Sequence, residues 1–289
     1  MRGSHAPSLR TLVRRLLVTE VGLLRGTSVL LACSGGPDSN AMLHVVASLR
    51  DATGLVLHAH GVDHGLRPEA AAELELAAAL ARAVDVPFST TRLDVAPGAN
   101  LQARARSARY AALREHARSA GASLIATAHT ADDRAETVVM RVLRGSGPRG
   151  LAVLPPRSDD LLRPLVRARR HDVELHLARH GVACARDPSN EDARFLRVRV
   201  RREVMPLLES LAPRVAESLT GLADALAAWP TDEALGGLGR RQRSDALRAL
   251  AAGKDRVAVR VGDHKELLVE RSPTGPVVTE VPTAPRRRR

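Results

Sequence analysis

An apolar run from Ser28 to Cys33 that stops on Ser34-Gly35-Gly36-Pro37-Asp38-Ser39 constrains this chain more than any other stretch. A short aliphatic run bounded by glycines reads as a buried parallel strand. A helical pattern (Ala41, Leu43, Val45, Val46, Leu49) follows at once. Strand, glycine turn and helix N-terminus together make a seat for an anion. First-turn amides lack intrahelical partners, and the helix dipole adds partial positive charge there. Gly35 and Gly36 carry no Cβ, so the backbone can approach a phosphate closely. Ser34 and Ser39 can add hydroxyl donors, while Asp38 can cap the helix or face a metal.

Three readings of the loop compete. A Walker loop requires G-x-x-x-x-G-K-[ST], and the stretch has no lysine. A serine-nucleophile elbow requires G-x-S-x-G, and Ala32 holds the first glycine position. What remains is S-G-G-x-D-S, the pyrophosphate loop of ATP pyrophosphatases that activate a substrate by adenylation. The bland alternative is an ordinary glycine turn.

The surrounding chain alternates strands and helices. An amphipathic helix over 8–24 precedes the first strand. Further strands are predicted at Leu55–His60, Phe88–Leu93 and Ser123–Ala128, and helices at 69–84, 99–120 and 132–143. Such alternation means βαβ units and a Rossmann-like parallel sheet with helices on both faces. Ligands on these sheets bind beyond the carboxyl ends of the strands. Ser34–Ser39, Asp63-His64, and His129 with Asp132-Asp133 follow three different strands, so all fall on one edge. Gly145-Ser146-Gly147-Pro148-Arg149-Gly150 spells the dinucleotide fingerprint, but it follows a helix and contains Pro148. It reads as a backbone-exposed loop able to move over a substrate.

Past Gly150 the alternation ends. A surface helix is expected over 168–180, where His171 and His176 lie on opposite sides, which argues against a metal site. Asp187-Pro188-Ser189-Asn190 reads as a turn. Arg194 to Arg202 is an arginine-rich helix suited to a phosphate backbone, and 207–228 continues as helix. A helix (245–252) and a hairpin (256–261 with 266–269) follow, then a disordered tail from about 273. The expected domains are an N-terminal helix (1–24), a catalytic domain (25–200), and a helical linker with a small C-terminal RNA-binding region (201–289).

Charge points to the partner. The 44 basic residues, arginine except for Lys254 and Lys265, exceed the 32 acidic ones and leave a net charge of +12. Such an excess suits an acidic polymer. Aromatics make up only 1% of the chain, so the core must be built from Leu, Val and Ala. Cys33 and Cys184 are too few for a multi-ligand zinc or iron–sulfur site and suggest a reducing compartment. No apolar stretch is long enough to span a membrane and no signal peptide is evident. A cytoplasmic location with no membrane partner is expected.

Taken in order, the motifs are specific. They are Ser34–Ser39, Val62–Arg67, Ala105–Tyr110, Thr127-Ala128-His129 with Asp132-Asp133 and Glu136-Thr137, Leu143–Gly147, Arg163-Pro164-Leu165 and Asp187–Asn190. Over roughly residues 25–210 the chain resembles the tRNA(Ile)-lysidine synthetase family of PP-loop enzymes. That resemblance implies ATP-dependent adenylation of carbon 2 of the wobble cytidine in a CAU-anticodon isoleucine tRNA. Free L-lysine then displaces AMP. ATP and Mg2+ are the implied cofactors, and a homodimer is compatible with this reading. Ser34, Gly35, Gly36, Pro37, Asp38, Ser39, Asp63, His64 and His129 would hold the nucleotide. Asp38, Asp132, Asp133 and Arg106 would carry the chemistry, with Asp38 and Asp132 on the metal and Asp133 as the base for the incoming amine. Arg109, Arg144, Arg197, Arg199 and Arg201 would contact the tRNA. Tyr110, beside Arg109, stacks on a base or packs in the core. Thr130, Arg134, Gly61 and Val198 depart from the residues usual at their positions.

Two rivals stay open. A tRNA-thiolating enzyme on the same loop would need a catalytic cysteine. A non-catalytic nucleotide- or RNA-binding protein would have no use for Asp38, Asp132 and Asp133 beside phosphates.

Overall fold

The computed structural model describes residues 7–63, 65, 69–94, 96, 98, 100–185, 195–228, 238, 240–260, 265–271 and 277–282. Two compact units divide the chain, Met1–Ala227 and Ala228–Arg289.

The first unit is a wound α/β sheet. Its strands are β1 (Ser28–Cys33), β2 (Val56–Asp63), β3 (Phe88–Arg92), β4 (Leu124–Ala126), β5 (Arg157–Ser158) and β6 (Leu161–Leu162). They lie in the order β3-β2-β1-β4-β6-β5. All neighbours are parallel except the terminal β5–β6 pair. The strand order reverses direction at β1, so the crevice beyond the carboxyl ends of β1 and β4 is the topological switch point.

The helices are α1 (Leu9–Arg15), α2 (Pro37–Ser48), α3 (Arg50–Thr53), α4 (Ala70–Ala83), α5 (Leu101–Ser119), α6 (Ala131–Leu143), α7 (Pro148–Leu151) and α8 (Arg170–His180), followed by α9 (Leu196–Arg199), α10 (Met205–Leu211) and α11 (Val215–Ala227). Alternation along β1 explains how they divide between the two faces. Val29, Leu31 and Cys33 join the core shared with α1, α2, α4 and α8. Leu30 packs the other way, with Leu113 and Ala117 of α5 and Ile125 of β4. Leu30, Leu31 and Leu113 are essentially unexposed, each contributing about 2 kcal/mol of apolar burial. Helix α6 packs through Ala135 and Val139 on Val200, Met205 and Ala216.

Several expectations need correction. The first helix gives way to a π-helical turn at Leu16–Glu20 and stops short of Leu24. Strand β2 runs on to Asp63, so Asp63 ends a strand instead of opening a loop. The helix expected over 207–228 breaks between Leu211 and Val215, where Pro213 interrupts the pattern. His176 is buried, not on a surface: its Nε2 lies 2.9 Å from Nδ1 of His44, and His180 closes a trio of rings. Among the described residues no three His, Cys, Asp or Glu side chains converge as a metal site.

The second unit holds α12 (Arg240–Ala251) and an antiparallel sheet of β7 (Arg256–Arg260), β8 (Lys265–Glu270) and β9 (Val277–Pro282), in that order. Strand β9 lies where a disordered tail was expected. Its Val278 packs beside Leu267 and Val269, which supplies the apolar contact that orders it. The 187–190 turn, His64 and residues 283–289 lie outside the described residues.

One glycine is fixed by geometry. Gly35 has φ +79°, and a Cβ there would land on the Glu73 carbonyl of α4. Gly36 has ordinary φ, and a Cβ there would meet only Ser34 Oγ at 3.6 Å. Gly35→Ala is therefore expected to cost about 3 kcal/mol from left-handed strain and overpacking together. Gly36→Ala should leave stability within about 0.5 kcal/mol. Denaturant unfolding of the two variants checks the contrast.

Candidate active site

Strand β1 delivers the chain to Ser34, and Gly36 becomes the N-cap of α2 with Pro37 in its first turn. Proline suits that place because its ring presets a helical φ and its missing N–H would have had no helical partner. Ser39 Oγ donates to the Gly36 carbonyl at 3.0 Å and accepts from the Ser34 amide at 3.2 Å. Ser34 Oγ lies 3.2 Å from the same hydroxyl. The segment after α8 clamps the loop from outside. The Ala185 amide donates to Gly35 O at 2.9 Å and Asn40 Nδ2 to Ala183 O at 2.8 Å.

Strand β4, beside β1 and parallel to it, delivers Thr127, His129 and α6 to the same edge. Thr130 caps α6: its hydroxyl accepts from the Asp133 amide, and Asp133 Oδ2 accepts from the Thr130 amide at 2.9 Å. Asp132 does not cap its own helix. Its Oδ2 accepts from the Arg170 amide at the start of α8 (2.6 Å), and its Oδ1 pairs with Arg169. Asp133 Oδ1 meets Arg197 at 2.9 Å, Arg170 at 3.3 Å and Arg201 at 3.5 Å. Glu136, three residues on and hence on the same helix face, pairs with the same three guanidiniums. The distances there are 2.8 Å to Arg201, 3.1 Å to Arg197 and 3.3 Å to Arg170.

The electrostatics separate the three aspartates. Burial works against ionisation of Asp133, but Arg197, the Thr130 amide and Arg170 outweigh it and hold the carboxyl below its usual range. Burial, then Asp133 and more weakly Asp132, push Asp38 up to about 6 against the pull of Arg170 and Arg201. Asp38 thus shares one field with the two acids on α6. Burial lowers His129 to about 4, helped by Arg163, Arg106 and Arg197, so its ring is neutral at physiological pH. Its Nδ1 is 3.0 Å from Thr127 Oγ1.

Helix α5 brings Arg106 and Arg109 over the faces of Tyr110, at 5.1 and 5.4 Å, with Arg114 at 5.9 Å. Tyr110 is therefore ringed by guanidiniums instead of packed in the apolar core. The structure brings together Ser34–Ser39, Asp38, Asp132, Asp133, Arg197 and Arg201, with His129 and Arg106 in their field. Asp63 ends β2 on the same sheet edge, whereas two of the expected arginines are engaged or placed elsewhere. Asp63 Oδ1 is engaged by the Gly65 amide at 2.8 Å. Arg199 pairs with Glu203 in an exposed i,i+4 bridge. Arg144 sits at the C-terminal end of α6, about 17 Å along the helix from Asp132 and Asp133. Sequence reasoning assigned no role to Glu136, Arg163, Arg169 or Arg170. Glu136 was the findable one, since its spacing from Asp133 puts both acids on one face.

A pyrophosphate-type loop at the switch point of a parallel sheet, with acids from the neighbouring strand tip, defines a PP-loop protein. Residues 9–208 match the PP-loop domain family. Among solved structures, the U34-tRNA thiolase NcsA from Methanococcus maripaludis superposes with a TM-score of 0.64 at 19% identity. The match covers 76% of this chain and 78% of that one, and shows a shared fold. A tRNA(Ile)-lysidine synthase from Thermobifida fusca is 40% identical over 270 residues, covering 85% of this chain and 82% of the relative. Those from Novosphingobium aromaticivorans and Rhodopseudomonas palustris are 45% and 46% identical, over 69% and 63% of this chain. The chain spans only 63% and 54% of the length of those two relatives. The chain belongs to the tRNA(Ile)-lysidine synthase family.

The raised value of Asp38 has a stability consequence. The folded chain keeps this proton until about pH 6, while an unfolded aspartate loses it near 3.9. Stability linked to the proton is full below that lower value and is lost as pH rises through about 6. Asp38→Asn is therefore expected to stabilise the chain above pH 7, by up to about 3 kcal/mol, and to change nothing below pH ~4. Unfolding free energies measured across that range check the sign, and a gain independent of pH would contradict it.

Proposed function

We propose that the chain is an ATP-dependent carbon–nitrogen ligase that converts the wobble cytidine of CAU-anticodon tRNA(Ile) to lysidine, acting in the cytoplasm. One observation carries this reading: the Ser34–Ser39 loop and the Asp132–Asp133–Glu136 acids meet on one sheet edge inside a single electrostatic field. Loop amides and hydroxyls would grip the β- and γ-phosphates of ATP. With the α-phosphate turned toward the acids, cytidine O2 would attack it, forming the adenylate and releasing pyrophosphate.

Among the described residues one carboxylate at this edge, that of Asp38, is left open to a divalent cation. Asp38 is partly buried among like charges and has no hydrogen-bond partner among the described residues, the setting in which a hard cation is favoured. Mg2+ held there would offset charge gathering on the departing pyrophosphate. Asp132 is less suited to share that duty, because Arg169 and the Arg170 amide take both of its oxygens.

The second step needs a proton acceptor, since free lysine's amine is protonated at neutral pH. Asp133 is poorly matched to that role, because Thr130 and three arginines occupy it and hold it ionised. Asp38, at about 6 when no cation is bound, would serve as the base only once Mg2+ and pyrophosphate have left it. Asp133 and Glu136 then act by holding Arg170, Arg197 and Arg201 beside the phosphates. The amine attacks carbon 2 and AMP leaves.

A thiolating role is disfavoured by the cysteines. Cys33 is buried at the end of β1 with its thiol pushed up to about 12, so it carries almost no thiolate. Two cysteines in the whole chain are also too few for the usual cluster ligands.

The test is ATP–pyrophosphate exchange followed by nucleoside mass analysis. Exchange should require CAU-anticodon tRNA(Ile) but not lysine, and adding lysine should yield lysidine and AMP. Asp38→Asn should abolish exchange while leaving tRNA affinity within about twofold. Exchange independent of tRNA, or incorporation of sulfur, would overturn the reading.

A further inference from the structure

The arginines expected to meet RNA are largely matched by carboxylates. Arg197 and Arg201 face Glu136 and Asp133, and Arg199 faces Glu203. A different set is not. Ser8, Arg10, Thr11, Arg14, Arg15 and Thr19 line an open groove along α1 and the turn after it, walled by Val18 and by Ala52 of α3. No ion pair involves Arg10, Arg14 or Arg15 among the described residues. The sole acid of this segment, Glu20, is engaged by Arg167. Arg10 makes one long bond, 3.4 Å to the Ser48 carbonyl, and is otherwise exposed.

We propose that this groove is a second contact for the phosphodiester backbone of the RNA substrate, away from the reacting nucleotide. The proposal rests on the reading of the chain as a tRNA-modifying enzyme. Arg10 and Arg14 are one helical turn apart, about 6 Å along the axis, close to the spacing of successive phosphates on one strand. Their guanidiniums offer the planar donor pairs that phosphate oxygens favour. Ser8 and Thr11, whose hydroxyls sit 3.0 Å apart at the start of α1, add short-range donors on the same wall. Helix α2 separates the groove from the nucleotide loop: Asp38 lies in its first turn and Ser48 at its last residue. An RNA held at both ends of that helix is gripped at the base being modified and again along its stem.

The experiment compares wild type, Arg10→Gln/Arg14→Gln/Arg15→Gln, and an equally discharged control, Arg82→Gln/Arg118→Gln/Arg179→Gln, all on exposed helix surface. Each is titrated with tRNA transcript over a salt series, and with vesicles of phosphatidylserine and phosphatidylcholine. Removing one cation from a duplex phosphate lowers the log–log salt slope by about 0.9. The groove variant should lose about 2 to 3 from the slope and raise KM for tRNA at least tenfold. Its kcat, its KM for ATP and its unfolding midpoint should stay at wild-type values, and the control should retain the wild-type slope. An unchanged slope in the groove variant, an equal fall in the control, or a groove that matters only for vesicles would each overturn the proposal. Loss of tRNA-dependent exchange in the wild type would instead sink the enzymatic reading, whatever the binding slopes show.

Discussion

Two carboxylates and three guanidiniums hold the functional edge of this fold together. Asp133 and Glu136 project from one face of α6 and receive Arg170 from α8 and Arg197 and Arg201 from the segment after it. Glu136 is nearly inaccessible to water, so removing either sign would strand charge in a poorly solvated place. The cluster also fixes distance. The acids are anchored by the Thr130 cap to the end of β4, and β4 is hydrogen-bonded to β1, which carries the glycine loop. A shift of the arginine segment would be felt at the loop through nothing more than packed helices and ion pairs.

The same arrangement explains why three chemically identical aspartates behave differently. Asp132 is consumed by the N-terminus of α8, Asp133 by cations, and Asp38 is left among negative neighbours with little water. A second buried tie works behind them. Arg134, fully enclosed, pairs with Asp224 of α11 at 2.7 Å and donates to the Val153 carbonyl, while Arg167 bridges Asp224 to Glu20. Two layers of charge thus brace α6, one toward the site and one away from it.

Much of the architecture was legible because the signals were local. Ser28–Cys33 is an uninterrupted aliphatic run, and its bounds matched those read from sequence. The features that escaped reading have no local signal. Strands β5 and β6 are two residues each, too short to show a period. Strand β9 lies in a valine- and proline-containing stretch that reads as a tail until β8 is beside it. At the site, residue types and edge could be read, but the ownership of each carboxylate could not. The Asp133–Arg197 pair spans 64 positions and the Asp132–Arg170 bond 38, and nothing in a pattern of neighbours encodes such distances. His176 was misplaced for the same reason, since only tertiary packing sets it against His44.

The segment after α8 has a practical consequence for anyone wishing to watch the nucleotide loop move. Cys184 is only partly covered, and its two neighbours bond directly to the loop and its helix, Ala185 to Gly35 and Ala183 to Asn40. Cys33 keeps its proton to about 12 and so resists alkylating dyes. A maleimide fluorophore would consequently mark a single position in the wild-type chain, between the two residues that tie this segment to the glycine loop and its helix.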